Sequence, residues 1–279
     1  MSRKKLADKT LRFLIWTFSF ITLGILVWIL GYIIYNGISY ISWEFISTIN
    51  KPRAGLNGIL PMIISTVYIV LVTIMISTPI GVCSAIYLVE YSKPGKILRT
   101  IRFATETLAG IPSIIYGLFG FIFFVTIMRL SYSLLSGALT LSIMVLPTII
   151  RTTEEALKSV PETYKEGSLA LGATRLKTIT RVILPCAIPG ILTAIILSIG
   201  RITGETAAVL FTSGIVPRIP TSIMSSGRTL SLHLYLLAAN GTSFEQAFAT
   251  ATVLIFIVAV INFAAGRIAS RIKKLTIGS

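Results

Sequence analysis

Long apolar runs alternate with short polar and basic segments along the whole chain. Six of these runs reach about 20 residues, the length that an α-helix needs to cross the hydrocarbon core of a bilayer. The alternation therefore predicts an all-α integral membrane protein with six transmembrane helices. The predicted spans cover residues 13–35, 60–89, 107–128, 130–150, 182 to about 216, and 247–266.

Features of three predicted spans bear on their shape. The second run is longer than a bilayer requires, which predicts a tilted helix or a helix that breaks at Pro79 and Gly81. Little more than Arg129 separates the third run from the fourth, so a tight hairpin is expected there. The segment between Phe211 and Phe244 has only a faint helical pattern, and we assign it no structure from the sequence.

The composition agrees with a location in lipid. The chain is 54% hydrophobic and 13% charged, with a mean hydropathy of +0.87, which is too apolar for a water-soluble globule. We divide it into an N-terminal part at 1–59 with the first span and an outer loop, a five-helix core at 60–269, and a basic tail at 270–279.

The distribution of charge predicts the orientation in the membrane. A net charge of +15 could indicate a nucleic-acid partner, but nineteen of the 25 lysines and arginines lie in the two tails, the loop after span two or the loop at 151–181. Positively charged loops stay on the cytoplasmic side, so both termini and the loop at 151–181 are predicted to be cytoplasmic. Anionic lipid headgroups then account for the charge, and no nucleic-acid partner is expected.

The cytoplasmic loop has the pattern of two helices joined by a glycine turn. A helix that begins near Pro161 is expected to end, or bend sharply, at Gly172. After the glycine, apolar residues recur at spacings of three and four, at Leu176, Ile179 and Ile183. This recurrence predicts a second short amphipathic helix that leads into the fifth span.

Part of this loop resembles a known motif, written EAA, three residues, Gly, nine residues, Ile, one residue and Leu-Pro. Glu166, Gly172, Leu184 and Pro185 match it in register, whereas Gly167 and Ser168 replace the two alanines and Val182 replaces the isoleucine. The motif is the cytoplasmic loop of bacterial and archaeal ABC-importer permeases, where a coupling helix docks into a separate ATPase subunit. The resemblance implies a type I importer permease core with cytoplasmic coupling helices. It assigns ATPase contact to Glu166, Gly167, Ser168, Leu169, Ala170, Leu171, Gly172 and Ala173. An ordinary amphipathic interface helix is the alternative.

Two charged residues, Arg201 and Glu205, interrupt the apolar fifth run. Each costs at least about 2.5 kcal/mol at the centre of a membrane helix, so neither is expected to face lipid. Because they are four residues apart, they share a face of a continuous helix and can form an ion pair. Gly200 and Gly204 have the same spacing, which would let another helix approach closely.

Two interpretations of the charged pair stay open. In the first, the pair is structural and locks a helix interface. In the second, Arg201 offers its guanidinium to a tetrahedral oxyanion in the transport pathway, and Glu205 orients that guanidinium. A fixed carboxylate accepts a hydrogen bond from protonated phosphate but never from sulfate, so the second interpretation supplies a chemical basis for selecting phosphate.

The sequence around the pair is similar to one particular family. GRITGETAAVLF, at 200–211, resembles the GRxxGET segment of phosphate-specific ABC permeases, and residues 146–173 resemble the matching stretch of their A-type subunit. The resemblance covers about 59–269 and implies a permease that carries inorganic phosphate across the cytoplasmic (inner) membrane. It also implies a homologous C-type permease, a periplasmic phosphate-binding protein and two ATPase copies as partners. Arg201 and Glu205 match the family's intramembrane charged pair, and Arg151 matches a second basic position associated with phosphate passage.

Arg151 has a simpler interpretation as well. An arginine at the inner end of a span is usually an anchor for lipid headgroups. Thr152 and Glu155 have the spacing of a capping box, which predicts that Arg151 ends span four and that a new helix begins at once. The sequence leaves both roles open for Arg151.

Motifs for enzymatic chemistry are missing from the sequence. It has no GxxxxGK[ST] nucleotide loop and no cluster of His, Cys or carboxylates with metal-ligand spacing. We therefore expect no enzyme activity, cofactor or metal in this chain, and expect a partner ATPase to bind ATP and magnesium. An ABC permease for another oxyanion or a sugar is one alternative. A secondary transporter or channel is another, but the two halves show no repeat.

Overall fold

The computed structural model describes residues 3–51, 56–93 and 95–277, most of which are helical. Residues 1–2 and 52–55 of the predicted N-terminal part and residues 278–279 of the basic tail lie outside the described residues. The side chains of Arg3, Lys4, Lys5, Lys273 and Lys274 lie outside them as well. The helices are α1 (Arg3–Ile38), α2 (Trp43–Ser47), α3 (Leu60–Ile86), α4 (Lys96–Gly110), α5 (Ser113–Gly120), α6 (Leu134–Lys158), α7 (Glu162–Ala170), α8 (Arg175–Thr178), α9 (Leu184–Thr203), α10 (Ala207–Thr212), α11 (Leu230–Ala239) and α12 (Phe244–Ile277). The π-helical turns Tyr87–Tyr91, Phe121–Ile127 and Ile179–Ile183 continue α3, α5 and α8. The antiparallel pair β1 (Asn50–Lys51) and β2 (Leu56–Asn57) precedes α3.

Among the described residues, five stretches of helix are long and apolar enough to cross a membrane. They are Asp8–Ile38, Leu60–Tyr91, Leu134–Lys158, Arg175–Thr203 and Phe244–Ile268. A pair of helices, Lys96–Gly110 and Ser113–Ile127, passes the same test together although its members meet at 101°. The predicted all-α membrane fold is confirmed, and the predicted number of six spans is reached when the bent pair is counted as one.

The predicted third span is not a straight helix. The run at 107–128 begins in the last turn of α4, and the chain turns at Ile111 and Pro112 before α5. Proline lacks an N–H and favours an extended residue before it, and Ile111 is extended (φ −72°, ψ 131°). The hydroxyl of Tyr116 donates to the carbonyl of Leu108 across the bend at 2.7 Å. Proline and tyrosine together fix the bend.

Of the two alternatives for the second span, a tilt or a break, the break at Pro79 and Gly81 is not found. α3 runs without interruption through Pro79 and Gly81. A Cβ built at Gly81 would lie 2.6 Å from the side chain of Ile149 on α6. The glycine therefore allows two helices to pack closely, and it does not end a helix.

The short connection predicted between spans three and four is confirmed. Arg129 and Ser131 have positive φ values of 55° and 56°, which reverse the chain within a few residues. The N–H of Leu130 donates to the carbonyl of Phe124 at 3.1 Å, and the side chain of Ser133 caps the start of α6.

The predicted helix boundary at Arg151 is wrong. α6 continues without interruption to Lys158, so Arg151 lies inside it and Thr152 begins no new helix. Thr153 and Leu157 on this part of α6 are buried. Burial of the face with Thr153 and Leu157 keeps the chain helical, and this outweighs the tendency of a capping-box sequence to start a new helix.

The core lies where α3, α6 and α9 pack against one another. Its central cluster of buried side chains includes Ile69, Leu141, Val145, Ile149 and Ile202. A second buried cluster joins the ends of α3 and α6 to the π-helical turn before α9 and to the start of α9. These three helices form the frame that positions the candidate site.

Helix α1 lies outside this core. Its main contact is with α12, where the hydroxyl of Thr252 donates to the carbonyl of Ile33 at 3.3 Å. Nearly all of its large apolar side chains between Phe13 and Ile38 are exposed. α1 therefore presents an apolar surface that suits lipid or another membrane subunit.

Candidate functional site

The fifth predicted span is interrupted where its charged residues lie. α9 ends at Thr203, Gly204 follows as its cap, and α10 begins only at Ala207. The run predicted from 182 to about 216 therefore contains two helices. Ile202 and Ala208, on either side of the interruption, are buried. The sequence predicts that this segment lies within the bilayer, where non-helical backbone is tolerated only if protein or a water-filled cavity surrounds it, so the interruption is a candidate functional site.

Glu205 lies in the interruption and caps α10. Its Oε1 accepts hydrogen bonds from the backbone N–H groups of Thr206 at 3.2 Å and Ala208 at 3.1 Å. A carboxylate suits this position because the first N–H groups of a helix have no partner within it and carry partial positive charge. Among the described residues, no group makes a hydrogen bond with Oε2 of Glu205, so this oxygen is left for another partner.

The ion pair predicted between Arg201 and Glu205 is wrong. A spacing of four residues gives a shared face only within one helix, and α9 ends between these two residues. Within the described part of the chain, the ion pairs do not include this one. The structure therefore places the two residues at one interruption but gives the carboxylate a backbone partner.

Arg201 lies in the last turn of α9 with an exposed side chain. In the described residues it has no ion-pair partner. A guanidinium that lacks a carboxylate partner at a membrane interruption can hold an anion.

The two glycines beside Arg201 are not packed against another helix of this chain. No described atom lies within 4 Å of a Cβ built at Gly200, and a Cβ at Gly204 would meet only the carbonyl oxygen of Gly200, at 3.8 Å. The predicted close helix approach is therefore not made within the described residues. It stays a prediction for a second subunit.

Further polar groups near the interruption were not predicted from the sequence. The hydroxyl of Ser231 donates to the carbonyl of Glu205 at 2.7 Å. Arg228 donates through Nε to the carbonyl of Ile215 at 2.8 Å, and its Nη1 lies 3.2 Å from Nδ1 of the buried His233. Since a guanidinium can only donate, Nδ1 accepts and the imidazole is neutral. The sequence signal that could have identified these groups is an arginine and the single histidine of the chain, both in the segment between Phe211 and Phe244 that was assigned no structure.

Arg151 lies apart from the interruption, on the exposed side of α6. Its Nε is 3.3 Å from Oε1 of Glu155, and both side chains are mostly exposed. It lines a cavity of about 220 Å³ that has both acidic and basic side chains in its wall. The lining residues are Leu88, Arg102, Thr105, Glu106, Ile150, Arg151, Glu154, Glu155 and Lys158. Arg201 is not among them, so the structure does not join the two arginines in one cavity.

The helix that carries the loop motif ends in a defined turn. Gly172 has φ +82°. Its N–H donates to the carbonyl of Leu169 at 2.9 Å, and the N–H of Ala173 donates to the carbonyl of Ser168 at 3.2 Å. These two bonds form a Schellman motif, in which glycine adopts positive φ without strain. The predicted glycine turn is confirmed.

The short helix predicted after the turn is the start of the fifth span. α8 continues through its π-helical turn into α9, so that helix extends from Arg175 to Thr203. Ile179 and Ile183 are buried, as their spacing predicts, whereas Leu176 is 64% exposed.

Apolar side chains project from the turn. Leu171 is 90% exposed, and Leu169 is 43% exposed beside it. Glu166 and Gly167 are also exposed, and no described atom lies within 4 Å of a Cβ built at Gly167. An apolar tip with an open helix surface beside it is typical of a site for another protein.

Residues 77–274 match the family described as "binding-protein-dependent transport system inner membrane component". The chain belongs to this family. This permease is thus a membrane subunit of a transport system that depends on a binding protein, as the loop motif predicts.

Relatives of this permease align with most of its length. The probable ABC transporter permease protein YqgI of Bacillus subtilis (strain 168) is 37% identical, over 98% of this chain and 99% of its own. The phosphate transport system permease protein PstA 1 of Mycobacterium tuberculosis (strain H37Rv) is 35% identical, over 87% and 81%. PstA of Pasteurella multocida (strain Pm70) is 32% identical over 93% of both chains.

Solved ABC importers share the fold of this permease. A chain of a bacterial ABC transporter for alginate import gives a TM-score of 0.68 at 16% identity, covering 98% of this chain and all of the other. A chain of the MetNI methionine transporter in an inward-facing conformation gives 0.60 at 23% identity, covering 80% and 99%. The predicted ABC-importer permease core is therefore confirmed.

Proposed function

We propose that this permease is the A-type membrane subunit of an ATP-driven importer that carries inorganic phosphate across the cytoplasmic membrane. Relatives named as phosphate transport permeases align over most of the chain, which supports the substrate. The single observation that carries the proposal is the guanidinium of Arg201 at the interruption, with no ion pair in the described residues. A charge at membrane depth is costly and is retained where it lines a path for ions or substrate.

Arg201 holds phosphate transiently. Its planar fork donates two parallel hydrogen bonds to two oxygens of a tetrahedral anion. Because Glu205 is engaged with the start of α10, the anion does not have to displace a carboxylate from the guanidinium. The open space beside Gly200 and Gly204 leaves room for the sister permease, so phosphate passes between the two subunits.

Glu205 discriminates between oxyanions. Its Oε1 is fixed by two backbone N–H groups, and Oε2 points to no hydrogen-bond donor of the described chain. A protonated phosphate donates a hydrogen bond to Oε2, whereas sulfate has no proton to donate at neutral pH and is repelled by the carboxylate. α10 thus orients Glu205, which replaces the orientation by Arg201 expected from sequence.

The exposed surface of α7 and the Gly172 turn docks into the ATPase. The contact is made by Glu166–Ala173, with Leu169 and Leu171 as the projecting apolar side chains. ATP and magnesium bind the two ATPase copies, so this permease carries no cofactor and hydrolyses nothing itself. A homologous C-type permease and an external phosphate-binding protein complete the importer.

The transport cycle follows from these contacts. Both termini and the coupling loop face the cytoplasm, as the basic residues indicate. ATP binding closes the ATPase dimer, which moves α7 and rocks the two permeases between outward-facing and inward-facing states. Phosphate released by the binding protein reaches Arg201 and leaves on the cytoplasmic side, where Arg151 provides a second basic group at the wall of a cavity.

The test is ATP-dependent uptake of radiolabelled phosphate into liposomes that hold the complete importer, with wild-type permease or Arg201→Gln. Uptake by the wild type and its loss in an assembled variant are the expected results. If the wild type carries another oxyanion or a sugar instead, the permease assignment stands and phosphate is wrong. Equal uptake by the variant would remove Arg201 from the pathway.

A further inference from the structure

A buried glutamate connects the coupling helix to the core. Glu90 lies in the π-helical turn at the end of α3, and its side chain is 4% exposed. Its Oε2 is 2.9 Å from Nζ of Lys165 on α7. A buried carboxylate needs a partner because desolvation of a charge costs several kcal/mol. Lys165 supplies an ion-pair partner from a helix 75 residues further along the chain, although Oε2 makes no hydrogen bond of ordinary geometry within the described residues.

A second contact joins the other side of the loop to the same turn. The guanidinium of Arg175, at the start of α8, donates to the backbone carbonyl of Glu90. Its Cζ also lies 5.2 Å from the centre of the Tyr91 ring, which is within the range of a cation–π contact. The helices before and after the Gly172 turn therefore both hold the end of α3.

Apolar packing between α7 and the core is sparse. None of the residues of α7 is buried. A cavity of about 270 Å³ lies between this helix and the ends of α3 and α6. It is lined by Val89, Glu90, Leu157, Lys158, Val160, Pro161, Glu162, Lys165 and Ile183. The Lys165–Glu90 pair crosses this space, so a movement of α7 reaches the core through charged side chains as well as through the chain itself.

The other end of α3 is linked through the start of α11 to the interruption that holds Glu205. The N–H of Leu230 donates to Oγ1 of Thr66 on α3 at 2.9 Å. The next residue, Ser231, donates its hydroxyl to the carbonyl of Glu205 at 2.7 Å. Between Thr66 and Glu90 the helix spans about 36 Å at 1.5 Å per residue. α3 is therefore a continuous element with the coupling loop at one end and the candidate phosphate site at the other.

We infer that Glu90 and α3 transmit the movement of the coupling helix to the segment that holds Glu205. Lys165 and Arg175 move the end of α3, and Thr66 passes the displacement to Leu230 and hence to Glu205. This inference rests on the proposed docking of an ATPase at α7. It assigns Glu90 and Lys165 as positioning residues, which contact neither phosphate nor ATP.

The test measures ATP hydrolysis and phosphate uptake together in liposomes with the complete importer. The variants are Glu90→Gln, Lys165→Met and the double variant, which leaves no unpaired buried charge. Each is expected to raise the ATP consumed per phosphate by about fivefold or more, the lower end of ordinary coupling between two sites. Because the two side chains act as one unit, the double variant is expected to be no worse than either single variant.

The control is Arg12→Met, which removes an ion pair within one helix. Nη2 of Arg12 is 3.6 Å from Oδ2 of Asp8, both residues lie on α1, and the pair does not connect α7 to α3. Its ratio of ATP to phosphate is expected to stay at the wild-type value. At the other end of α3, Thr66→Val is expected to raise the ratio, whereas Thr73→Val on the same helix is expected to leave it unchanged.

Different outcomes separate this inference from the proposed function. If uptake and hydrolysis fall by the same factor in Glu90→Gln and in the double variant, the contact only stabilises the fold and the inference is overturned. A wild-type importer that carries another solute refutes phosphate, yet the ratio measured with that solute still tests Glu90. A wild-type chain that binds no ATPase overturns both.

Discussion

The interruption at Arg201 and the end of α3 at Glu90, which is predicted to be its inner end, hold their charges in opposite ways. At the interruption, Arg201 has no ion pair within the described residues, and Glu205 is bound by backbone N–H groups. At the inner end, the buried carboxylates of Glu90 and Glu154 each meet a lysine, at 2.9 and 2.7 Å. One region leaves a charge available, and the other pairs its carboxylates with lysines.

The two arrangements of charge suit two different functions, binding an anion and transmitting movement. A group that binds and releases an anion in every cycle must not be neutralised by a permanent partner. A group that transmits movement must keep its partner, and breaking a buried ion pair by removing one member costs about 3–5 kcal/mol. We therefore expect substitutions at the interruption to change transport itself, and substitutions at the inner end to change its coupling to ATP.

The largest effect is expected at Arg201. Arg201→Gln should lower uptake about a hundredfold, because two charge-assisted hydrogen bonds of about 1.5 kcal/mol each are lost. Arg201→Lys keeps the charge but not the fork, so an intermediate loss is expected. Initial uptake rates over a range of phosphate concentrations measure both. Equal rates for lysine and arginine would show that only the charge matters there.

A smaller effect is expected at the coupling turn. Gly172→Val places a β-branched residue at φ +82°, where an L side chain costs about 1–2 kcal/mol, and the Schellman turn is distorted. We expect uptake per ATP to fall about tenfold, roughly the factor that this energy represents, with insertion unchanged. Gly241→Val is the control, since it places the same side chain at φ +61° with no described atom within 4 Å, between α11 and α12 and outside the coupling turn. An unchanged ratio in Gly172→Val would contradict the docking role.

Two substitutions of Glu205 are expected to separate its effect on substrate selectivity from its effect on the stability of the fold. Glu205→Gln retains an oxygen that can cap α10 but removes the charge, so the preference for phosphate over sulfate should fall several-fold with the fold intact. Glu205→Ala also removes the cap, and we expect a further loss of about 1 kcal/mol in stability. Competition by unlabelled sulfate measures the first effect, and thermal unfolding of the purified chain measures the second. An unchanged preference in Glu205→Gln would remove the selective role.

The smallest effect is expected at Arg151. Its pair with Glu155 is exposed, and such pairs contribute about 0–1 kcal/mol. Arg151→Gln should therefore leave stability nearly unchanged and lower uptake by less than about threefold. A loss as large as that of Arg201→Gln would show that both arginines bind phosphate in sequence, in spite of their separate places in this structure.

Local signals in the sequence predicted the elements that depend on few residues. The apolar runs gave the membrane fold, Arg129 marked the hairpin, and Gly172 marked the turn after α7. The first two follow from the lengths of the apolar runs and the short break between them, and the turn follows from the positive φ that glycine adopts without strain. The helix boundary predicted at Arg151 and the ion pair predicted at Glu205 were wrong, and the choice between a tilt and a break at Pro79 stayed open, because each required knowing whether a helix continues.

The sequence by itself determined that this chain is a membrane permease, which of its loops is basic, and which charges lie in an apolar run. Only the tertiary structure decided the partners of those charges. Packing of Thr153 and Leu157 kept α6 helical past Arg151, and the start of α10 took the carboxylate that spacing had assigned to Arg201. Glu90 met Lys165 across 75 residues, and such a contact depends on how α3 and α7 are arranged in space, a relation that no local pattern records.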